Sequence, residues 1–183
     1  MAVAVILSAF PLFAPAANAV AWSCTAAVPS GSGGYTHPWG GVFGKTNGFC
    51  NNSGVIDPPH SGVDWDQVGT GQATYDLFAV HSGTIIDIDY DPTTFGNYVA
   101  LKSSSDHRVI VYAHLSSWSV YFNQVVSTFQ KIGVSGHTPT AVIPFIHTHL
   151  SGTSVWNGWY GGTNFFNIRT FLANNGTVWG TGE

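Results

Sequence analysis

The sequence predicts a single domain that is mainly β, and three observations support this prediction. The 183 residues match the usual size of one domain, about 100–200 residues. Runs of β-branched and aromatic residues, each of strand length, follow one another between turn-rich links in the middle of the chain. Only two short segments, 123–131 and 167–173, have a composition that suits a helix.

The first 19 residues have the pattern of a secretion signal. Residues 1–10 form an apolar run that is too short to span a bilayer, because a spanning helix needs about 20 residues. Ala17-Asn18-Ala19 supplies the small-x-small pattern at which signal peptidases cut, so we predict cleavage after Ala19 and secretion of the protein. No Lys or Arg precedes the apolar run, so the true start lies upstream or the signal is atypical. A buried apolar strand is the alternative.

Residues 20–52 are rich in Gly, Ser, Pro and aromatic side chains, which predicts an irregular lead-in packed on the core. Both cysteines, Cys24 and Cys50, belong to this lead-in. In an exported protein, an even number of cysteines indicates disulfide bonding, so we predict one disulfide between them. This bridge would stabilise the folded chain by about 3 kcal/mol. Metal ligation by the cysteines is the alternative, and their distance from the histidine clusters disfavours it. The remaining residues, 53–183, form the functional domain in this interpretation.

Three strands are predicted in the centre of the chain, at Gly83–Tyr90, Asn97–Lys102 and Arg108–Leu115. Their β-branched and aromatic residues suit a half-buried sheet, and the turn-rich links at 91–96 and 103–106 are short enough for hairpins. The sequence therefore predicts an antiparallel meander.

Three carboxylates alternate with apolar residues at the end of the first of these strands. Asp87, Asp89 and Asp91 are two residues apart, which places them on one side of a strand. A solvated face is the favoured interpretation, and a calcium site is the alternative.

Composition disfavours nucleic acid as a ligand. Only 8% of residues are charged, the net charge is −4 and there are five Lys and Arg residues in total, so few cations are present to neutralise phosphates.

Hydrophobic residues make up 44% of the chain and aromatic residues 14%, which is enough to form a sizeable core rather than a disordered chain.

Eight histidines are present, and the densest arrangement is His147-Thr148-His149, within an apolar segment that is predicted to be a strand. Residues i and i+2 of a strand face the same way about 6.6 Å apart, so the two imidazoles point into one space. One imidazole can bind a metal while the other reaches a group on that metal. Two core histidines, each with a hydrogen-bond partner, are the alternative.

His60-Ser61-Gly62-Val63-Asp64 is the second motif with metal-binding potential. Two ligands of one zinc ion must each lie about 2.1 Å from it, whereas an extended chain would separate His60 and Asp64 by about 13 Å. The segment must therefore bend, and Gly62 gives it the freedom to do so. Two imidazoles and a carboxylate form the usual ligand set of a catalytic zinc with an open position. A turn in which Asp64 caps backbone amides is the alternative.

The only glutamate is Glu183, which excludes the helical His-Glu-x-x-His motif with its Glu base. Another group must then move the proton. His114, at the end of a predicted strand, is the best candidate because its ordinary pKa of about 6.5 suits proton transfer near neutral pH. A core histidine is the alternative. The remaining histidines are assigned to the surface or to loops: His37, His81, His107 and His137.

These motifs, taken together, resemble those of the lysostaphin and LytM-type zinc endopeptidases, which cut peptidoglycan peptides. His60–Asp64 is similar to the first metal motif of that family, Tyr112–Ser116 to its middle histidine motif and His147–His149 to its HxH motif. The connecting segments 79–85, 96–99 and 130–136 are also similar. The resemblance covers about residues 40–152.

The resemblance implies an antiparallel β-sheet groove with long loops and one Zn²⁺ ion. It assigns His60, Asp64 and His149 as metal ligands and His114 and His147 as catalytic residues. The implied activity is hydrolysis of amide bonds in cell-wall peptides, in cross-bridges or in stem cross-links, by a secreted, wall-associated monomer that uses a zinc-activated water.

The sequence also departs from the family pattern. Leu150-Ser151-Gly152 follows the HxH motif where the family has an aromatic and an acidic residue, and 137–146 replaces its Gly- and Ser-rich approach. These departures leave the substrate preference open. Two alternatives follow: a catalytically inactive module of this fold that binds cell-wall peptide or a partner, and a β-rich carbohydrate binder.

Overall fold

A computed structural model describes residues 27–39, 43–50, 60–67, 73–140, 145–158 and 163–177. The predicted signal at 1–19 and Cys24 lie outside these residues, so the cleavage, the Cys24–Cys50 disulfide and the division at residue 53 stay predictions. Among the described segments, none is a helix of the length and hydropathy needed to cross a membrane.

The described residues form eleven strands and one short helix, which confirms the mainly β class. The strands are β1 (Phe43–Asn47), β2 (Val63–Gln67), β3 (Asp76–Phe78), β4 (Gly83–Asp91), β5 (Gly96–Ser103), β6 (Val109–Ala113), β7 (Ser117–Trp118), β8 (Val125–Val126), β9 (Lys131–Val134), β10 (Thr148–Val155) and β11 (Thr163–Phe166), and the helix is α1 (Ile168–Asn174).

Two antiparallel sheets contain all of these strands. The larger sheet has the order β1-β2-β10-β6-β5-β4-β8, with β11 paired to β10, and the smaller sheet has the order β3-β9-β7. The predicted meander is confirmed, because β4, β5 and β6 are neighbours in chain order and pair antiparallel. The strands β2 and β10, which are far apart in sequence, also pair with each other in the larger sheet.

The central strand β6 is buried along its whole length and packs a core on each face of the sheet. Ile110 and Tyr112 belong to the larger core, which also contains Trp65 and Leu150. The alternate residues Val109, Val111 and Ala113 belong to the smaller core, together with Phe95, Tyr98, Ala100 and Phe165. This period of two sends neighbouring residues of a strand to opposite cores.

The same alternation continues along β2 and β10 and determines where polar residues lie. Val63 and Trp65 of β2 and Leu150 of β10 face the larger core. Asp64 and His149 therefore face the side of the smaller core, where Phe95 contacts the His149 ring at a centroid distance of 5.6 Å. One face of the large sheet thus carries the polar cluster.

The two helix predictions have different outcomes. The segment 167–173 is confirmed as α1, and the Asn167 side chain caps it by accepting a hydrogen bond from the Thr170 amide at 3.2 Å. The segment 123–131 is not helical. Asn123 and Phe129 have positive φ values of 65° and 66°, and the β-branched pair Val125–Val126 extends along β4 as β8.

The three aspartates of β4 have separate environments, so they form neither one solvated face nor a calcium site. Asp89 is exposed. Asp87 accepts hydrogen bonds from Tyr98 Oη at 3.1 Å and Trp156 Nε1 at 2.8 Å. Asp91 is only 1% exposed and accepts hydrogen bonds from the turn that follows it. The register from Asp87 to Asp91 is regular, so it is their different hydrogen-bond partners that separate the three carboxylates.

Candidate metal centre

Three side-chain atoms from distant parts of the chain converge on one point of the large sheet. Asp64 Oδ1 lies 3.2 Å from His60 Nε2 and 2.9 Å from His149 Nδ1, and the two nitrogens are 3.1 Å apart. All three residues are buried, with exposures of 4–9%. We call these three atoms, His60 Nε2, Asp64 Oδ1 and His149 Nδ1, the donor triad.

Strand pairing brings two members of the donor triad together. Asp64 on β2 and His149 on β10 are directly opposite in the antiparallel register, so their side chains emerge on the same face, about 5 Å apart at Cβ. His60 precedes β2 and reaches the triad because the chain bends at Gly62. The predicted bend between His60 and Asp64 is therefore present.

Gly62 is required for its small size rather than for its conformational freedom. Its φ is not among the positive values of the described glycines. A Cβ atom at this position would lie 2.2 Å from the Leu150 carbonyl oxygen and 2.6 Å from His149 Nε2. Only a residue without a side chain lets the His60 segment approach β10 this closely.

Backbone carbonyls fix the protonation of three of the four histidines in this region. His60 Nδ1 donates to the Gly48 carbonyl at 2.9 Å, His114 Nδ1 to that of Thr138 at 2.8 Å and His147 Nδ1 to that of Phe145 at 3.1 Å. A carbonyl oxygen can only accept, so Nδ1 carries the hydrogen and Nε2 of each neutral ring presents a lone pair.

His147 and His114 lie beside the donor triad. His147 Nε2 is 3.7 Å from Asp64 Oδ1, and the His114 ring centroid is 4.7 Å from that of His147 and 5.4 Å from that of His149. His114 follows β6 with φ +62°, a left-handed conformation that is uncommon for a residue with a side chain. The structure therefore brings all five predicted site residues into one cluster.

The ionisable groups of the cluster influence one another strongly. Burial raises the pKa of the Asp64 carboxyl, but the adjacent His149 and His60 imidazoles outweigh burial and hold this pKa well below its usual range. Burial lowers the pKa of the His60 imidazole, yet Asp64 outweighs this effect and raises it. Asp64 is therefore an anion at neutral pH.

The other two imidazoles with shifted pKa values favour the neutral form. Burial lowers the pKa of His114 well below its ordinary value, and the nearby His149 and His147 rings lower it further. Burial is also the largest influence on His149 and lowers its pKa. At neutral pH, His114 and His149 are therefore lone-pair donors rather than cations.

The donor triad suits a divalent cation of the zinc type. His60 Nε2 and Asp64 Oδ1 are both acceptors, and two acceptors 3.2 Å apart repel each other unless a cation or a proton lies between them. Ligand atoms of a tetrahedral zinc are about 3.3 Å apart, given bond lengths of about 2.0–2.1 Å. The spacings of 2.9–3.2 Å in the triad are close to that value.

Sequence reasoning missed the groups that orient the imidazoles. The carbonyls of Gly48, Thr138 and Phe145 leave no signature in the residue type, because every residue has a carbonyl. For Thr138 an indirect signal exists: Gly96 has φ +60°, and a Cβ there would lie 2.0 Å from the Thr138 carbonyl oxygen. This glycine lets the 138 loop approach β5.

The other aromatic and histidine residues have varied positions. Tyr112 is fully buried in the larger core and accepts a hydrogen bond from the Val80 amide at 2.9 Å, so it does not line the site. Trp118 is 43% exposed and Trp156 is partly buried. The four remaining histidines lie in loops, as expected, and Trp159 and Tyr160 are outside the described residues.

Comparison with known families and structures gives a consistent result. Residues 58–158 match Peptidase family M23. No curated protein matches the sequence. The catalytic domain of the antimicrobial peptidase lysostaphin from Staphylococcus simulans is similar in structure, with a TM-score of 0.60 and 24% identity over 72% of this chain and 92% of that one.

Two further structures share the fold. A catalytic-domain mutant of the prophage-encoded M23 protein EnpA from Enterococcus faecalis has a TM-score of 0.58 and 20% identity, over 76% of this chain and 98% of that one. A zinc-containing peptidase from Vibrio cholerae has a TM-score of 0.55 and 23% identity, over 65% of this chain and 36% of that one.

Proposed function

Because the chain belongs to peptidase family M23, we propose that it is a zinc-dependent endopeptidase that hydrolyses amide bonds in peptidoglycan peptides. The observation that carries this proposal is the donor triad, two imidazole nitrogens and one carboxylate oxygen within 3.2 Å of one another. The triad lies within the segment that matches the family. His60, Asp64 and His149 are the proposed metal ligands.

Zinc, when bound to these ligands, supplies Lewis acidity and lowers the pKa of a bound water to about 7. Among the ligands, Asp64 contributes one negative charge. Three protein ligands of the N and O type, with a fourth position for water or substrate, are typical of catalytic rather than structural zinc.

His114 and His147 are the proposed catalytic residues. Each has Nδ1 bonded to a carbonyl, so each ring is held in one orientation with Nε2 available. A neutral imidazole in this state accepts a proton from water, and the resulting cation stabilises negative charge on a substrate oxygen. The lowered pKa of His114 keeps the ring neutral at physiological pH, so its Nε2 lone pair is available to a water molecule.

We also propose that the substrate is a peptide of the bacterial cell wall and that the protein is secreted and acts there as a monomer. The apolar run and the Ala17-Asn18-Ala19 pattern support export. Phe95 is buried against His149, and Trp156, which lies 6.3 Å from Phe95 between ring centroids and is partly exposed, offers the peptide an aromatic surface on this side of the sheet.

The test is release of peptides from purified cell walls. Walls with glycine cross-bridges and walls with direct stem cross-links are incubated with protein that holds one equivalent of zinc, and the fragments are identified by mass spectrometry. We expect cleavage of one wall type, and inhibition by a chelator that added zinc reverses. Binding of wall peptide without any cleavage would contradict the proposal and would support the inactive binding module instead.

A further inference from the structure

One histidine of the cluster differs from the others in how its second ring nitrogen is held. His60, His114 and His147 each donate to a backbone carbonyl. His149 instead has its outer nitrogen, Nε2, 2.8 Å from the Ser151 hydroxyl oxygen. A hydroxyl can donate or accept, so this contact does not by itself decide which nitrogen of His149 carries the hydrogen.

A second serine completes one of the two possible arrangements of this hydrogen bond. Ser61 Oγ lies 3.3 Å from Ser151 Oγ and offers an acceptor for the Ser151 hydrogen. When Ser151 donates to Ser61, it accepts from His149 Nε2–H, and Nδ1 of the neutral ring is left with its lone pair. That lone pair belongs to the donor triad, 2.9 Å from Asp64 Oδ1.

Burial makes the Ser151 hydroxyl difficult to replace with water. Ser151 is 0% exposed, on the face of β10 that carries His149. The backbone of Gly62 closes the other side, since a Cβ there would lie 2.6 Å from His149 Nε2. Without the hydroxyl, Nε2–H would have no acceptor in this site, and the tautomer with hydrogen on Nδ1, which can donate to Asp64, would become the favoured one.

We propose that Ser151 is a positioning residue for His149. Its hydroxyl accepts a hydrogen bond from His149 Nε2–H and donates one to Ser61. His149 Nδ1 thereby keeps its lone pair for the metal. This inference rests on the proposed function, because it assigns a role toward the zinc ligand.

Zinc affinity, measured by competition with a chromogenic chelator on the full chain, tests the inference. Ser151→Ala is expected to weaken zinc binding about 10- to 100-fold, the usual effect of removing a hydrogen-bond partner of a metal ligand. Ser61→Ala, which leaves Ser151 in place, is expected to weaken it by a smaller factor. Thr153→Ala is the matched control, because Thr153 is also buried on β10 but bonds the Val155 carbonyl.

A second measurement separates positioning from general stability. Nitrogen-15 NMR of the zinc-free protein reports which imidazole nitrogen of His149 is protonated. The parent protein and Thr153→Ala are expected to hold hydrogen on Nε2, and Ser151→Ala is expected to shift it toward Nδ1. A merely structural role for Ser151 would lower the melting temperature without moving this signal.

Two results would overturn the inference while leaving the proposed function intact: unchanged zinc affinity in Ser151→Ala, or hydrogen on His149 Nδ1 in the parent protein. Failure of the parent protein to bind zinc would instead overturn the proposed function, and this inference with it. Because Ser61 is only partly buried, Ser61→Ala provides the same test if Ser151→Ala does not fold.

Discussion

Asp64 and His149 are directly opposite one another on two antiparallel strands, and Asp64 Oδ1 lies 2.9 Å from His149 Nδ1. The 84 residues between Asp64 and His149 in sequence therefore do not set their geometry, because the register of β2 against β10 sets it. A slip of one residue in this pairing would turn one of the two side chains to the opposite face. The proposed metal site thus depends on the sheet rather than on a flexible loop.

Replacement of His149 by Ala is predicted to abolish stoichiometric zinc binding. The change removes one of three proposed ligands and leaves Asp64 and His60 without the third donor. Metal analysis of the purified variant measures this directly. His107→Ala is the control, since His107 is exposed in the connection between β5 and β6. A His149→Ala protein with full zinc occupancy would contradict the ligand assignment.

Replacement of His114 by Ala is predicted to preserve zinc binding and to lower turnover about 10²- to 10⁴-fold, the usual contribution of general acid–base catalysis. The reason is that His114 lies beside the donor triad without belonging to it, with ring centroids 5.4 Å apart between His114 and His149. His147→Ala is predicted to behave in the same way. Zinc content and peptide release, measured on one preparation, distinguish these variants from His149→Ala.

Much of the fold and the identity of the site residues were predictable from the sequence. The strands of the meander are runs of β-branched and aromatic residues separated by turn-rich links, so both their type and their order are local properties. His147 and His149 share a face because of the two-residue period of a strand. His60, Asp64 and His114 were identified from residue type together with the family resemblance.

The remaining features depend on contacts between distant segments. Val125 and Val126 form β8 because they pair with β4, and a window of nine residues cannot reveal that partner. Asp91 is buried by the turn that folds back on it, although a strict alternation placed it with Asp89. The carbonyl partners of the histidines are likewise backbone groups, whose positions follow only from the folded chain.

Replacement of Gly62 by Ala is predicted to reduce both stability and zinc affinity. The new Cβ would lie 2.2 Å from the Leu150 carbonyl oxygen and 2.6 Å from His149 Nε2, so either the His60 segment or the His149 ring must move. Thermal unfolding and chelator competition measure the two effects.

Gly133→Ala is the matched control for this prediction. A Cβ at Gly133 would lie 2.5 Å from the Ser117 carbonyl oxygen, in the smaller sheet and away from the donor triad. This variant is expected to lose stability but to keep the zinc affinity of the parent protein in its folded fraction. Equal loss of zinc affinity in both variants would show that the effect of Gly62→Ala is not local.

Replacement of Asp91 by Asn is predicted to lower stability at neutral pH but not in acid. Burial raises the pKa of the Asp91 carboxyl, but hydrogen bonds from Thr93, Thr94 and the Phe95 amide outweigh it and lower that pKa. The folded protein then binds fewer protons than the unfolded chain between the two pKa values. The stabilisation is therefore complete above the unfolded value of about 3.9 and is lost as the pH falls through the folded value.

At pH 7, loss of these charge-assisted hydrogen bonds is expected to cost Asp91→Asn about 1–3 kcal/mol in the free energy of unfolding. Each kcal/mol lowers the melting temperature of a domain of this size by about 2–4 °C. Melting temperatures of variant and parent, compared at matched zinc content, should differ at pH 7 and approach each other as the pH falls below about 3.9 and through the folded value. Asp89→Asn, an exposed change on the same strand, should follow the parent throughout. A constant difference for Asp91→Asn at all pH values would mean that the carboxylate charge is not what holds the turn.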